Sequence, residues 1–175
     1  MKNRICIIFL LLFLAPSCKR DRVIPTSGEA TINNLLVFDS NRQTYIGYGF
    51  LFSKAELVSI LSKPGPDITI AADGTNLSFQ ANNLNNSFFK AGEYENETTA
   101  SGEFKKVTAP SVSQWEGMAV PVKPHQIWIY RTGDENYAKI RIISTVSKVR
   151  DDRDYAECTF EWRYQPDGSL TFPEK

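Results

Sequence analysis

Histidine and cysteine are scarce in this sequence of 175 residues, and their scarcity excludes several kinds of chemistry. There is one histidine, His125, and there are three cysteines. A Ser-His-Asp or Cys-His triad would have to use His125, which follows Pro124, and no G-x-S-x-G motif occurs in the sequence. The same count excludes a zinc site built on histidine, because only Cys158 is available beside it, on the apolar face of a predicted strand. The sequence therefore predicts a protein that is not an enzyme and has no metal site.

An excess of charge of one sign is also absent, since 20 lysines and arginines balance 20 aspartates and glutamates. No basic run could follow a phosphate backbone, so nucleic acid is not expected as a partner. Glu157 and Glu161 share one face of a predicted strand, but their separation of roughly 13 Å exceeds the roughly 5–9.5 Å that glycosidase carboxylates require. Asp151, Asp152 and Asp154 crowd a predicted hairpin loop without EF-hand spacing. A solvated loop is therefore favoured over a calcium site.

Long apolar runs are missing except at the start of the chain. Residues 5–15 are all apolar, but a membrane-spanning helix needs roughly 20 such residues. The run follows Lys2 and Arg4 and precedes small residues, which is typical of a secretory signal peptide over residues 1–17. A cysteine at position 18 resembles the end of a bacterial lipobox, so we expect cleavage before Cys18 and lipidation of that residue. Ordinary signal peptidase cleavage at the same bond is the alternative.

The remainder of the chain is predicted to form a short tether and one domain. Residues 18–29 begin with charges and then contain Pro25 and Ser27, which is typical of a solvated linker. Residues 30–175 contain no repeats and no second linker, and their length suits one domain with a sizeable core. We expect the tether to hold this domain off the membrane to which the lipid attaches it.

Runs of β-branched and aromatic residues between polar turns predict a mainly β, β-rich α+β fold. The last third of the chain is an antiparallel meander with strands over residues 126–131, 137–146 and 155–165. Earlier strands are predicted over residues 31–38, 44–52, 67–71 and 77–80, and an edge segment with two prolines over residues 115–124.

One or two short helices complete the predicted fold. A capping box formed by Ser53 and Glu56 predicts a helix over residues 54–62, which the Pro64-Gly65 pair would end. A stripe of apolar residues predicts a second helix over residues 98–107.

The alternation of the two longest predicted strands determines their register. Both apolar sets must face the core, so residues of equal parity must pair, and Ile142 is expected opposite Phe160. The same register places Arg141 opposite Glu161 on the other face, which we expect to be solvated. Trp162 would then be a core residue, which is the usual position for an aromatic residue in a β-rich domain.

The meander contains motifs that resemble a known family. The segment Tyr137-Ala138-Lys139-Ile140-Arg141-Ile142, followed by Phe160-x-x-x-Tyr164-Gln165-Pro166-Asp167-Gly168-Ser169, is similar to the C-terminal signature of the HmuY-like lipoproteins of Bacteroidetes. The resemblance covers roughly residues 120–172. It implies an all-β outer-membrane lipoprotein on the periplasmic or cell-surface side, and the best-known members of that family capture haem and pass it to an outer-membrane receptor.

A candidate ligand site lies where the meander meets the loops before it. Met118 precedes His125 by seven residues, and a His/Met pair is one way to hold haem iron. Trp115 could stack on a porphyrin or on a sugar. We therefore expect a non-catalytic, membrane-anchored lipoprotein that binds haem or a similar ligand at Trp115, Met118 and His125. The alternatives are a structural or interaction lipoprotein without a small-molecule ligand and a glycan-binding accessory protein.

Overall fold

A computed structural model describes residues 23–83 and 85–172. The predicted signal peptide, the predicted lipidation site Cys18 and the first part of the predicted tether lie outside the described residues. Within these ranges the chain forms twelve strands and one helix: β1 Ser27–Asn33, β2 Val37–Asp39, β3 Thr44–Ile46, β4 Tyr48–Leu51, β5 Glu56–Ser59, β6 Ile68–Asp73, β7 Asn76–Ala81, β8 Phe88–Glu93, α1 Glu97–Lys106, β9 Met118–Ala119, β10 Gln126–Arg131, β11 Tyr137–Arg150 and β12 Arg153–Gln165. The predicted mainly β class is confirmed.

The first sheet has the strand order β1-β12-β11-β10-β8 and contains the predicted meander. The predicted register is confirmed as far as Ile142, which lies opposite Phe160, and Arg141 lies opposite Glu161. A bulge between Ile142 and Ser144 then shifts the pairing by one residue, so Thr145 and not Val146 shares the pairing level of Cys158. Both long strands extend further than predicted and meet at a two-residue turn formed by Asp151 and Asp152. Their φ angles of 50° and 56° are the left-handed values that this kind of tight hairpin requires.

The second sheet has the order β5-β4-β6-β7-β9, and β2 and β3 form a separate hairpin. Aromatic side chains join the two five-stranded sheets. Phe50 of β4 packs against Phe160 at 5.6 Å and against Trp162 at 5.3 Å, measured between ring centroids, and Phe79 of β7 lies 5.8 Å from Phe160. Cys158 is fully buried in this core, as predicted, and burial raises the pKa of its thiol.

The predicted helix over residues 54–62 is wrong. Residues 52–55 form a turn, and the chain returns as β5, whose Glu56 and Leu57 pair with Leu51 and Phe50 of β4. A helix this short is marginal in water. As a strand, β5 instead pairs with the backbone N–H and C=O groups at the free edge of β4 and buries Val58. The second predicted helix is α1, which begins at the N-cap Asn96, whose Oδ1 accepts the Thr99 N–H at 2.9 Å.

Strand boundaries differ from the prediction in two places. The predicted strand over residues 44–52 is divided at Gly47, and Gly49 allows β4 to approach β6 so closely that a Cβ there would collide with the Ile68 carbonyl oxygen. β1 begins at Ser27, so the last three residues of the predicted tether pair with β12. Within residues 23–83 and 85–172, no helix is long and apolar enough to cross a membrane.

The second face of the meander is covered, although we predicted it to be solvated. α1 packs on this face, and Lys139 and Arg141 are 0% and 5% exposed. The prediction treated each charged residue of an alternating strand as exposed, but long cationic side chains can be buried when their ends find oxygen partners.

Candidate functional site

Trp115, Met118 and His125 line none of the three cavities described below. Met118 belongs to β9, pairs with Gln80 in the second sheet and is 47% exposed. His125 lies immediately before β10 of the first sheet, and its backbone N–H donates to the Ile142 carbonyl at 2.9 Å.

His125 contacts a charged cluster beneath the first turn of α1. Its Nδ1 lies 3.6 Å from Glu97 Oε2, and its side chain is 29% exposed. Glu97 also pairs with Arg141, whose second carboxylate partner is Glu161 at 2.7 Å. Burial alone would lower the pKa of Arg141, but its hydrogen bonds to Glu161 and Glu97 raise that pKa overall. The cluster holds α1 on the sheet and presents no nucleophile.

Trp115 is half-buried and engaged by its own chain. Its ring stacks on Tyr137 with a centroid distance of 6.1 Å and an interplanar angle of 25°. The Arg131 guanidinium lies 4.8 Å from the ring centroid, a cation–π distance. A sugar would have to compete with these two side chains for the ring.

Lys139 is a structural residue that the sequence analysis missed. Its Nζ donates to the carbonyl oxygens of Phe104 and, at 2.6 Å, of Val107, and it also lies 5.4 Å from the ring centroid of Phe172. A cation at the carbonyl end of a helix complements the helix dipole, so Lys139 fixes the end of α1 on β11. The apolar stripe of the predicted second helix was the available signal that a helix covers this face.

The largest of the three cavities lies at one end of the molecule and is here called the distal cleft. It measures about 450 Å³ and lies between Leu35 and Leu36, the β2–β3 hairpin and the β11–β12 turn. Tyr45 and Tyr155 contribute aromatic walls, and Arg150 and Arg153 contribute cations alongside two aspartates. Ligand pockets commonly have volumes of about 300–1,000 Å³ with mainly apolar walls and a few polar groups. The distal cleft therefore suits an amphipathic ligand.

Exposed apolar side chains extend from the distal cleft over the neighbouring surface. This surface, here called the apolar tip, comprises Val37, Phe38, Tyr48, Leu57, Ile60 and Leu61, which are all more than one-third exposed. Leu36 and Ile60 meet above Gly47, and Phe38 packs edge-on against Tyr45 at 5.2 Å, so the tip adjoins the cleft. Contiguous exposed apolar surfaces commonly mark sites of interaction.

A second, smaller cavity lies at the opposite end of β1. β1 pairs from Ser27 opposite Arg163 to Asn33 opposite Glu157, a span of about 20 Å for seven residues. The distal cleft lies beyond Asn33. The smaller cavity, here called the proximal cavity, is bordered by Tyr164, whose backbone N–H donates to the Thr26 carbonyl just before β1.

The proximal cavity measures about 220 Å³ and contains a partly buried carboxylate. Asp67 Oδ2 accepts the Phe52 N–H at 2.8 Å. Burial raises the pKa of Asp67 to about 6; the Phe52 N–H opposes the rise, and the nearby Asp134 carboxylate adds to it. The Tyr130 hydroxyl donates to the Asp67 carbonyl at 2.8 Å, which fixes one wall of the cavity.

The third cavity and the aspartate-rich hairpin loop offer fewer groups that could bind a ligand. The third cavity, about 340 Å³, is lined by one charged side chain, Lys106, which pairs with Glu103 at 2.7 Å. In the aspartate-rich hairpin loop, where a solvated loop was predicted rather than a calcium site, Asp154 Oδ2 accepts the Gly74 N–H at 2.9 Å. Across residues 23–83 and 85–172 no group of three or more His, Cys, Asp or Glu side chains could hold a metal ion.

No model of a known protein family matches the sequence. A search of curated proteins finds no match either.

Proposed function

We propose that the chain is a non-catalytic lipoprotein, anchored to the outer membrane through Cys18 and similar to the HmuY-like lipoproteins, that captures haem or a similar amphipathic ligand. The distal cleft is the observation that carries this proposal. It combines apolar and aromatic walls with two arginines and two aspartates, and Arg153 and the exposed Arg150, which lies 3.8 Å from Asp151, suit the carboxylates of such a ligand. It also lies about 20 Å along β1 from the end at which the tether would join, so an anchored domain would present it away from the membrane.

Capture in the distal cleft would rest on apolar contacts more than on iron ligation. Met118 and His125, the predicted axial pair, do not line the cleft, and the Tyr155 hydroxyl already donates to Glu157 at 2.6 Å. Protoporphyrin without iron should therefore bind about as tightly as haemin. Ligation by His125 and Met118 would instead favour haemin strongly.

Titration of the purified protein with haemin and with iron-free protoporphyrin tests this proposal. Both ligands should bind saturably, and shifts in the Soret band and quenching of protein fluorescence should report this binding. Tyr45→Ala should weaken binding about tenfold, which is about 1.4 kcal/mol. His125→Ala and Met118→Ala serve as controls and should change it little. If only these two variants lose haemin, ligation at the sequence-predicted site replaces the cleft; if neither ligand binds, haem capture is refuted.

The apolar tip supports a second candidate function, an interaction lipoprotein that docks on a partner protein. Six large apolar side chains are exposed beside β5, which is an edge strand of its sheet and offers unpaired backbone groups. A photo-crosslinking residue at Leu57 should then give a discrete crosslinked product in outer-membrane preparations. The same probe at the exposed Lys105 of α1 is the control and should give none; equal products from both positions would contradict this function. The glycan alternative has less support, because the ring of Trp115 is engaged by Tyr137 and Arg131.

A further inference from the structure

The proximal cavity has negative charge that its own lining does not compensate. Asp67 and Asp134 both line it, whereas its lining includes no lysine, arginine or histidine among the described residues. The only described donor to the Asp67 carboxylate is the Phe52 N–H. A carboxylate removed from water without a cation is unfavourable, so a cation that entered this cavity would be stabilised there.

The walls of the cavity favour an organic cation over a metal ion. Leu51, Pro64 and Pro66 provide apolar surface, and Tyr130 and Tyr164 provide aromatic surface, which attracts ammonium groups. Ser53, Asn82, Asn83 and Thr132 also line the cavity, but among the described residues no group of three or more His, Cys, Asp or Glu side chains could hold a metal ion there. An alkylammonium needs one counter-ion for its charge and an apolar wall for its carbon chain, and the cavity offers both.

The cavity is held in shape by hydrogen bonds within the protein. The Tyr130 hydroxyl donates to the Asp67 carbonyl and accepts from Asn83 Nδ2 at 3.2 Å, and Asn83 Oδ1 accepts the Ser87 hydroxyl at 2.9 Å. A site formed in advance loses little conformational entropy when a ligand binds. Its volume of about 220 Å³ is smaller than that of most drug-binding pockets, which limits the ligand to a few carbon atoms.

We infer that the proximal cavity binds the ammonium group of a small organic amine, with the Asp67 carboxylate as its counter-ion, Asp134 adding negative charge and the tyrosines forming the wall. This site is independent of the distal cleft and of the function proposed for it. The amine could be free in solution or be the ethanolamine head group of a lipid, because both present the same ammonium.

Calorimetric titration with n-propylammonium, with neutral n-propanol as the matched ligand, tests the inference. Saturable binding of the ammonium and no binding of the alcohol are expected at pH 7.5. Asp67→Asn should weaken binding at least tenfold. Asp152→Asn, which removes the same charge at the exposed β11–β12 turn, should leave it unchanged. No heat from the amine, equal binding of the alcohol, or an unaffected Asp67→Asn variant would overturn the inference.

The pH dependence of binding gives a second readout that a merely structural role of Asp67 would not produce. The groups that face Asp67 are Asp134, Tyr130 and Tyr164. Since the pKa of Asp67 is about 6, affinity should fall about tenfold between pH 7.5 and pH 5. An affinity that does not change with pH would contradict the assigned counter-ion.

Vesicles distinguish the two sources of the amine. Sedimentation with phosphatidylethanolamine vesicles but not with phosphatidylcholine vesicles, reversed by n-propylammonium, would assign the lipid head group. Binding of n-propylammonium without binding to either vesicle would assign a free amine. Failure of both probes would refute the site and leave the haemin titration at the distal cleft unaffected.

Discussion

Replacing Asp67 by asparagine should change how the stability of the protein depends on pH. The pKa of Asp67 is raised from 3.8 to about 6 in the folded protein. As the pH rises through this window the unfolded chain loses its proton first, so the folded state binds more protons and stability falls. The asparagine variant has no such proton and lacks this fall.

The size of the effect follows from the shift. A rise of about two pKa units corresponds to about 3 kcal/mol of lost stability once the pH is well above 6. About 2 kcal/mol of this should appear between pH 4.5 and pH 7.5, because part of the change lies below that range. Asp67→Asn should therefore gain about 2 kcal/mol on the wild type across this interval. A weaker bond to the Phe52 N–H would lower the stability of the variant equally at both pH values and would not change this difference.

Urea unfolding followed by tryptophan fluorescence at both pH values measures this gain. Asp152→Asn is the matched control, because it removes the same charge from an exposed turn. A stability difference between Asp67→Asn and wild type that is constant from pH 4.5 to pH 7.5 would refute the assignment of a raised pKa to Asp67.

Three further predictions concern the scaffold; urea unfolding measures the first two, and amide hydrogen exchange measures the third. Gly49→Ala should destabilise the protein by more than about 2 kcal/mol, because the added Cβ would collide with the backbone of β6. Gly102→Ala in α1 is the control; its Cβ meets open space, so this variant should be more stable by up to about 1 kcal/mol. Equal effects of the two substitutions would contradict the close approach of β4 to β6. Phe160→Ala should cost about 3–5 kcal/mol, since the ring is fully buried between the sheets, and a cost below about 1 kcal/mol would contradict that packing. Lys139→Met should speed amide hydrogen exchange in α1 more than in β10; uniform exchange would show that Lys139 does not hold the helix.

The meander could be predicted from the sequence because one simple constraint determines it. Alternation assigns each residue of β11 and β12 to a face, and burial of both apolar sets leaves only registers of equal parity. The pairs Ile142–Phe160 and Arg141–Glu161 follow from that constraint and from the short turn between the strands.

The helix expected over residues 54–62 could not be distinguished from β5 by the same kind of reasoning. A run of nine residues with a capping box has little intrinsic preference for helix over strand. Its conformation is decided by pairing with the free edge of β4, which no local sequence pattern reveals. The burial of Lys139 and Arg141 was missed for a related reason, since it depends on where α1 docks rather than on the strand itself.

Both candidate sites were beyond prediction because each is built from segments far apart in the chain. The distal cleft joins residues near 35, 45 and 153, and the proximal cavity joins residues near 65, 83 and 133. The sequence-predicted residues Trp115, Met118 and His125 are close in sequence, but only Met118 lies on a strand and the three contact different neighbours.

The opposite positions of the two sites along β1 make their functions separable. About 20 Å of paired strand lies between Asp67 at one end and Tyr45 at the other, and residues this far apart without shared partners couple weakly. Asp67→Asn should therefore weaken n-propylammonium binding at least tenfold and leave haemin binding within about twofold. Tyr45→Ala should weaken haemin binding about tenfold and leave n-propylammonium binding within about twofold. Loss of both ligands in either variant would mean that the two sites are coupled through the core. The motif residues 137–142 and 160–169 contribute only Tyr164 to the lining of the two sites, so a resemblance in those motifs does not specify the ligand.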